Sequence, residues 1–215
     1  MTSQESLHQR SSARPRKATA TQDSFARLRA AAVTLFARQG YVATGIRDIA
    51  READLSTATL YHYVSNKEEL LVAIMREAFE SLIGNAMAAT AGLRAPQEML
   101  AALVRQHVLT ETGNQTVANV ATVEFRFLGP EARAEVVPLR DQYEAIWHGV
   151  LSKGISSKAF RVENPTVMRL ALLQLCSGPE EWYRPDGNLT PEEIAEQYVE
   201  LALRLVGARK SRSAS

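Results

Sequence analysis

Apolar residues recur at spacings of three and four along most of this sequence, which is the pattern of amphipathic helices. From Asp23 the spacing predicts a first helix that Gly40 ends. The apolar stripe of this helix consists of Phe25, Leu28, Ala32, Leu35 and Phe36. This is the stripe of an amphipathic helix, so we expect this face to pack against the rest of the fold.

Two short helices are predicted next, joined by a tight turn at Asp54-Leu55. Thr44 is the expected cap of the second helix and Ser56 the cap of the third, which runs over 57–64. Helices this short are stable only against a longer neighbour, and such a pair can present one face to the major groove of DNA. The segment 46–64 therefore predicts a helix-turn-helix. Ser65-Asn66-Lys67-Glu68 has the form of a capping box and opens a long fourth helix.

Five further helices are predicted beyond Gly92, and no strand pattern is present, so the fold class is all-α. Cap and proline signals place the fifth helix from Pro96 and the sixth over 117–127. The seventh helix runs through Tyr143 and Trp147. The eighth helix begins after Asn164-Pro165 and the ninth after Thr190-Pro191. Pro138 either kinks the seventh helix or divides it. The eighth and ninth helices are apolar over more of their circumference than one interface needs, which predicts a second covering surface.

The composition indicates the cellular compartment, and the charge pattern indicates a basic segment at each end of the chain. Hydrophobic residues make up 46% of the 215 residues and charged residues 23%, as in ordinary globular proteins. Cys176 is the only cysteine and no apolar run reaches the ~18 residues of a membrane span, so we expect a cytoplasmic protein. The net charge of +1 is uninformative, but basic residues gather in a disordered arm, 1–22, and a tail, 208–215. These residues, which either contact DNA or only aid solubility, are Arg10, Arg14, Arg16, Lys17, Arg209, Lys210 and Arg212.

The third helix carries an unusual polar and aromatic set, which consists of Thr57, Thr59, Tyr61, His62 and Tyr63. Hydroxyl groups can donate to phosphate oxygens, and threonine methyls or a histidine edge can meet bases. One of the tyrosines could instead pack across the helix-turn-helix.

The run Ile46-Arg47-Asp48-Ile49-Ala50, followed by Leu60-Tyr61-His62-Tyr63-Val64-Ser65-Asn66-Lys67-Glu68-Glu69-Leu70, resembles the DNA-binding signature of the TetR family of repressors. The resemblance covers about 23–71. It implies a helix-turn-helix domain, 23–68, and a larger helical domain for effector binding and dimerisation, 69–207. Tyr63 stands where many members have His, and Val64 where many have Phe. These departures leave base-level specificity open.

The resemblance also implies roles for individual residues. Tyr61, Tyr63 and Lys67 occupy positions that contact phosphates in the family, although Lys67 could also be a plain surface lysine. Thr57, Thr59 and His62 would face base edges, and Thr44 with Arg47 would grip the neighbouring backbone. The full DNA-binding set is Thr44, Arg47, Ser56, Thr57, Thr59, Tyr61, His62, Tyr63 and Lys67.

For the larger domain the resemblance implies a homodimer formed by the helices around 165–183 and 191–206, and a cavity for a small molecule. The candidate effector-binding residues are Phe79, Leu82, Phe125, Arg126, Tyr143, Trp147 and Trp182. The segment 181–195 is similar to a branch of TetR regulators that respond to acyl-CoA thioesters of lipid and sterol catabolism. The alternative is a repressor of an efflux or other metabolic operon that answers to a hydrophobic ligand without CoA. No cofactor or metal is expected.

An enzyme is the main rival interpretation, and a purely structural helical protein is the other. His8, His62, His107 and His148 are scattered, and Cys176 lies in a very apolar helix. No metalloprotease, serine-hydrolase or phosphate-loop motif is present. A structural protein would leave the cluster between Tyr61 and Lys67 unexplained. We therefore expect a ligand-responsive, DNA-binding regulator that is not an enzyme.

Overall fold

A computed structural model describes residues 15–208, with side chains from residue 23 onward. Within this range the chain is helical and contains no strand, so the all-α prediction is confirmed. The helices are α1 (Pro15–Ala43), α2 (Ile46–Glu52), α3 (Thr57–Tyr63), α4 (Lys67–Thr90), α5 (Pro96–Gly113), α6 (Gln115–Val123), α7 (Pro130–Ser156), α8 (Pro165–Ser177), α9 (Pro179–Trp182) and α10 (Pro191–Leu205). A 3-10 turn, Glu124–Phe127, joins α6 to α7.

Two hydrophobic cores organise these helices. The first packs α1 to α4 together around Phe36, Ile49 and Leu60. The second lies among α5, α7, α8 and α10 and is centred on the fully buried Trp147. Helix α4 contributes Leu70 through Met75 to the first core and Ile83 to the second. Because one continuous helix belongs to both cores, a displacement of α4 is transmitted between the two parts of the chain.

The end of α1 differs from the prediction at Thr44. Gly40 has φ 81° and ψ 158°, a conformation that favours glycine, and it interrupts the helix. Thr44 does not cap α2, because its hydroxyl donates to the Gly40 carbonyl oxygen at 2.8 Å, and the cap position is Gly45. The predicted cap was wrong because the interrupted helix leaves a carbonyl group that the Thr44 hydroxyl satisfies first.

The start of α4 also differs, by one residue. Asn66 rather than Ser65 caps the helix, since its Oδ1 accepts from the Glu69 amide at 2.9 Å. Glu69 returns the contact by accepting from the Ser65 amide at 2.7 Å. Glu68, the predicted partner, accepts from the Gly129 amide at 2.6 Å. A contact with a residue far along the chain thus decides which glutamate completes the cap.

Three other local signals are confirmed. Ser56 caps α3, Asn164 caps α8, and Thr190 forms a capping box with Glu193 at the start of α10. Pro138 lies inside α7, which continues past it, so of the two alternatives a division of the helix is wrong. The short helix α9 was not predicted, and the predicted sixth helix ends in the 3-10 turn.

The two basic tails are mostly beyond what the structure describes. Helix α1 begins at Pro15, before the Asp23 start that the apolar stripe predicted, so the last part of the predicted arm is helical. A helix can extend past its packed face where the sequence contains good helix formers, as it does here. The side chains of Arg10, Arg14, Arg16, Lys17, Arg209, Lys210 and Arg212 lie outside the described set. None of the helices within 15–208 is long and apolar enough to cross a membrane.

Candidate DNA-binding surface and effector cavity

Helices α2 and α3 are held by local hydrogen bonds and by burial of one face. Asp54 takes a positive φ of 54° in the turn between them, and the Leu55 amide donates to the Ala50 carbonyl at 2.9 Å. The Ser56 hydroxyl accepts from the Thr59 amide at 3.0 Å. Leu60 is fully buried against the first core, which fixes the rotation of α3 and turns its opposite face outward.

The outward face of α3 presents Ser56, Tyr61 and His62, which are all exposed, with Tyr61 54% accessible. Arg47 is exposed on the neighbouring α2. Thr57 and Thr59 are half-buried, and the Thr59 hydroxyl lies 2.8 Å from that of Ser56. These residues carry hydroxyl, imidazole and guanidinium groups, a mixture that can contact phosphates and base edges.

Tyr63 faces the other way. Its ring centroid lies 5.8 Å from that of Phe25 on α1 and 5.3 Å from that of His62. It packs against the first core and is half-buried. Of the two tyrosines on α3, Tyr63 is therefore the one that packs across the helix-turn-helix, and Tyr61 is the one that points outward.

Thr44 and Lys67 have partners inside the protein. Thr44 is only 2% accessible. The Lys67 ammonium group donates to the carbonyl oxygens of Tyr41 at 2.6 Å and Thr44 at 2.8 Å, and it lies 4.2 Å from the centroid of the Tyr41 ring. Burial lowers the pKa of Lys67, and the nearby carboxylate of Glu124 opposes that shift. The contacts of Thr44 and Lys67 with DNA stay a prediction.

These contacts belong to a junction between the helix-turn-helix and the rest of the chain, formed by Tyr41, Lys67, Glu68, Glu124 and Phe127. Glu124 is buried in the 3-10 turn and accepts from the Tyr41 amide at 3.3 Å. The rings of Tyr41 and Phe127 stack with centroids 5.9 Å apart. The junction ties the ends of α1 and the start of α4 to the segment between α6 and α7.

A cavity of about 850 Å³ opens beside this junction, between α1, α4, α5, α6, α7 and α8. Four of the seven predicted effector-binding residues line it: Phe79, Leu82, Phe125 and Tyr143. The other three do not. Trp147 is fully buried in the second core, Trp182 is 46% accessible on α9, and Arg126 stacks its guanidinium 4.9 Å from the Phe127 ring. Residues of α1, Ala26 to Thr34, form part of the same wall.

The buried end of the cavity is polar. His107 Nδ1 lies 2.6 Å from the Tyr143 hydroxyl, and His107 Nε2 lies 3.1 Å from Ser177 Oγ and 3.6 Å from Glu111 Oε1. Burial lowers the pKa of His107 to about 4, so the imidazole is neutral at pH 7. Burial and the neighbouring carboxyl group of Glu180 raise the pKa of Glu111 to about 8. At neutral pH this carboxyl group is therefore mostly protonated.

The structure supports neither a reactive thiol nor a metal site near the cavity. Burial raises the pKa of the Cys176 thiol to about 12, which keeps it protonated and unreactive. Among the described side chains, no group of three or more His, Cys, Asp or Glu residues is arranged to hold a metal ion.

Both parts of the chain match known families. Residues 28–74 match the model described as bacterial regulatory proteins of the tetR family, and residues 93–206 match the model described as a tetracyclin repressor-like C-terminal domain. The chain belongs to the TetR family. The resemblance inferred from the sequence is thereby confirmed. Both models describe regulatory proteins, and neither describes a catalytic domain.

Several TetR-family relatives span most of the chain. The transcriptional repressor KstR2 of Rhodococcus jostii is 28% identical over 174 residues, which cover 80% of this chain and 85% of the relative. A TetR-family regulatory protein from Rhodococcus RHA1 has a TM-score of 0.82 and 32% identity, over 87% of this chain and 98% of that one. AibR, solved with isovaleryl coenzyme A and operator DNA, has a TM-score of 0.77 and 26% identity, over 86% of this chain and 100% of that one.

Sequence reasoning missed most of the polar residues at the buried end of the cavity in this TetR-family chain. His107, Glu111, Ser177 and Glu180 were not among the predicted residues. His107 and Glu111 are four residues apart on α5, so they share a helix face, and Val104 and Val108 beside them are fully buried. Two ionisable residues within such an apolar stretch are the signal that could have found the site.

Proposed function

We propose that this TetR-family protein is a homodimeric repressor that binds a near-palindromic operator through α2 and α3 and is released by a small-molecule effector. The observation that carries the proposal is the outward face of α3. Ser56, Tyr61 and His62 are exposed there on a short helix whose other face is locked by Leu60. With Arg47, Thr57 and Thr59 they form the proposed contact surface for one major groove. Lys67 and Thr44 stabilise this surface through hydrogen bonds to backbone carbonyl oxygens inside the protein.

Dimerisation is proposed through α8 and α10. Both helices bury one face in the second core yet leave large apolar side chains accessible on the other, with Val167 at 60%, Leu170 at 47%, Leu201 at 42% and Leu205 at 50%. An apolar surface of this kind on each helix fits a two-fold interface with a second copy. A dimer would place two copies of α3 in successive major grooves, which is why a near-palindromic operator is expected.

The proposed effector is an acyl-CoA thioester of lipid or sterol catabolism. Support comes from the similarity to KstR2 and from the coenzyme A compound bound to AibR. The cavity, at about 850 Å³, is large enough for a sizeable acyl group and lies open at one side. A hydrophobic ligand without CoA, controlling an efflux or other metabolic operon, is the second candidate, favoured by the apolar walls formed by Phe79, Leu82 and Phe125.

Release follows from the position of the cavity. An effector there would touch α1 and the part of α4 from Ile74 to Leu82, and both helices also pack in the first core with α2 and α3. A ligand that favours a displaced α4 changes the separation of the two recognition helices. It must bind the DNA-incompetent form more tightly, by ~1–3 kcal/mol for a typical coupling.

The experiment is a titration of the purified protein with DNA that flanks its own gene, across a salt series and with a panel of acyl-CoA thioesters and free acids. Specific binding that weakens steeply with salt and that one thioester relieves would support both halves of the proposal. Relief by a free hydrophobic compound alone would favour the second candidate. An effector affinity that calorimetry finds unchanged by operator DNA would rule out the release mechanism.

A further inference from the structure

The buried end of the effector cavity is more polar than its walls. Of the residues that line the cavity, Ile74, His107, Glu111 and Tyr143 are the ones buried from solvent. Three of these four carry polar groups. A ligand that fills the cavity therefore meets polar groups that the protein shields from solvent.

Two acidic residues of the cavity lining are paired with arginines, but those at the buried end are not. Glu77 pairs with Arg29, and Glu144 contacts Arg140 at 3.0 Å and Arg169 at 2.8 Å. Within residues 23–208, no lysine or arginine forms an ion pair with Glu111 or Glu180. The nearest basic group is His107, which is neutral because it is buried.

The two carboxyl groups at the buried end thus lack a charged partner. The Glu111 side chain is 7% accessible. Glu180 Oε2 is buried and has no hydrogen-bond partner within the described part of the chain. Two neighbouring carboxyl groups in this position hold a proton between them, and the rise in the pKa of Glu111 follows from the same arrangement. The buried Glu180 Oε2 therefore remains as a hydrogen-bond acceptor for a ligand.

A purely apolar ligand fits this end poorly. It would leave the buried Glu180 Oε2 without a hydrogen-bond donor. An ammonium group would bring a positive charge to two carboxyl groups that already share a proton, and that proton would have to leave for the charges to match. A hydroxyl group both donates and accepts, and it is neutral, as is most of this surface at pH 7.

We propose that the effector carries a hydroxyl group on its apolar body, and that Glu111 and Glu180 select it at the buried end of the cavity. The proposal rests on the cavity being the effector site, and it adds the feature of the ligand that the protein distinguishes. The hydroxyl donates to Glu180 Oε2, the buried acceptor without a partner, and the proton that Glu111 shares with Glu180 lets a neutral group bind there. Both glutamates are specificity-determining residues in this arrangement.

The test compares matched probes by isothermal titration calorimetry: octanoyl-, decanoyl- and dodecanoyl-CoA, their ω-hydroxy and ω-amino derivatives, and the corresponding free acids. For the wild type, we expect at least one ω-hydroxy compound to bind about tenfold more tightly than its apolar parent, the size of one well-made hydrogen bond. The Glu111→Leu variant should lose this preference and bind the apolar parent at least as well. Glu163→Gln, which removes an exposed carboxylate outside the cavity lining, is the matched control and should keep the preference.

Several results would overturn the proposal. One is equal affinity for the parent and ω-hydroxy compounds at every chain length. Another is tighter binding of an ω-amino compound than of its ω-hydroxy counterpart. The third is an equal loss of affinity for the parent and the ω-hydroxy compound in Glu111→Leu. A circular-dichroism melt checks that this variant folds, and Glu111→Gln provides a second variant if it does not. Binding of ω-hydroxy acids but of no thioester would refute the CoA part of the proposed function and leave this proposal standing. Operator binding without ligand, unchanged in Glu111→Leu, separates the result from any failure of DNA recognition.

Discussion

Replacing Lys67 with methionine should destabilise the protein, because the Lys67 ammonium group is bound by groups within the protein. The Lys67 ammonium group makes hydrogen bonds of 2.6 Å and 2.8 Å to the carbonyl oxygens of Tyr41 and Thr44, and it lies 4.2 Å from the Tyr41 ring. Methionine keeps much of the apolar stem but leaves both carbonyl groups and the buried Glu124 carboxylate without this cation.

The size of the effect follows from these contacts. A hydrogen bond to a charged group contributes roughly 1.5–3 kcal/mol, and the two share one partly solvated ammonium group, so their contributions do not add fully. We expect a loss of about 2–3 kcal/mol in the free energy of unfolding. For a chain of this length each kcal/mol corresponds to roughly 2–4 °C in Tm, so calorimetry should show a decrease of about 5–10 °C.

The salt dependence of operator binding separates this role from a phosphate contact. Each neutralised phosphate contributes roughly −0.9 to the slope of log K against log salt. If Lys67 acts within the protein, Lys67→Met keeps the wild-type slope. Lys153→Met, an exposed lysine on α7, is the matched control and should leave both the Tm and the slope unchanged. An unchanged Tm together with a slope reduced by about one phosphate per protomer would refute this reasoning.

Three further predictions concern the recognition face, the dimer and a buried acid. Alanine at Tyr61 and at His62 should weaken operator binding by roughly 10-fold each in fluorescence anisotropy, with Tm nearly unchanged because both side chains are exposed. Leu201→Glu should convert the dimer to monomers in analytical ultracentrifugation and abolish tight operator binding; a variant that stays dimeric would contradict the interface. Because the pKa of Glu111 is raised to about 8 by burial and by Glu180, its contribution to stability falls as pH rises from about 4.5 to 8, by at most about 1.4 kcal/mol per pH unit. Buried neutral His107 has the opposite effect below pH 6.5, so the net decrease should appear between about pH 6.5 and 8. Glu111→Gln should remove this decrease in denaturant unfolding and leave a rise in stability from about pH 4 to 6.5.

Local rules predicted the parts of the fold that depend on neighbours in sequence. Ser56, Asn164 and Thr190 cap their helices because the groups that they satisfy lie two or three residues away. The same rule predicted Thr44 and Ser65 as helix caps, and both predictions were wrong. The Thr44 hydroxyl donates to the Gly40 carbonyl oxygen instead. At the start of α4 the cap is Asn66, one residue after Ser65, and Glu68 accepts from the Gly129 amide.

The site depended more heavily on distant contacts. The outward direction of Tyr61 follows from helical periodicity once Leu60 is recognised as core, but the inward direction of Tyr63 depends on Phe25 in another helix. Glu111 and Glu180 lie on different helices, so their proximity could not be read from spacing. A single sequence therefore predicted the binding surface better than the chemistry of the cavity.

The most direct test of the account is the binding of the purified protein to a fluorescent duplex from the region flanking its own gene, measured by anisotropy across a salt series. The account predicts specific binding with two protomers per near-palindromic site, a steep decrease with salt, and loss of affinity when Tyr61 and His62 are replaced together. Binding no tighter than to unrelated DNA, or full affinity in the double variant, would contradict the proposal that the exposed face of α3 reads an operator.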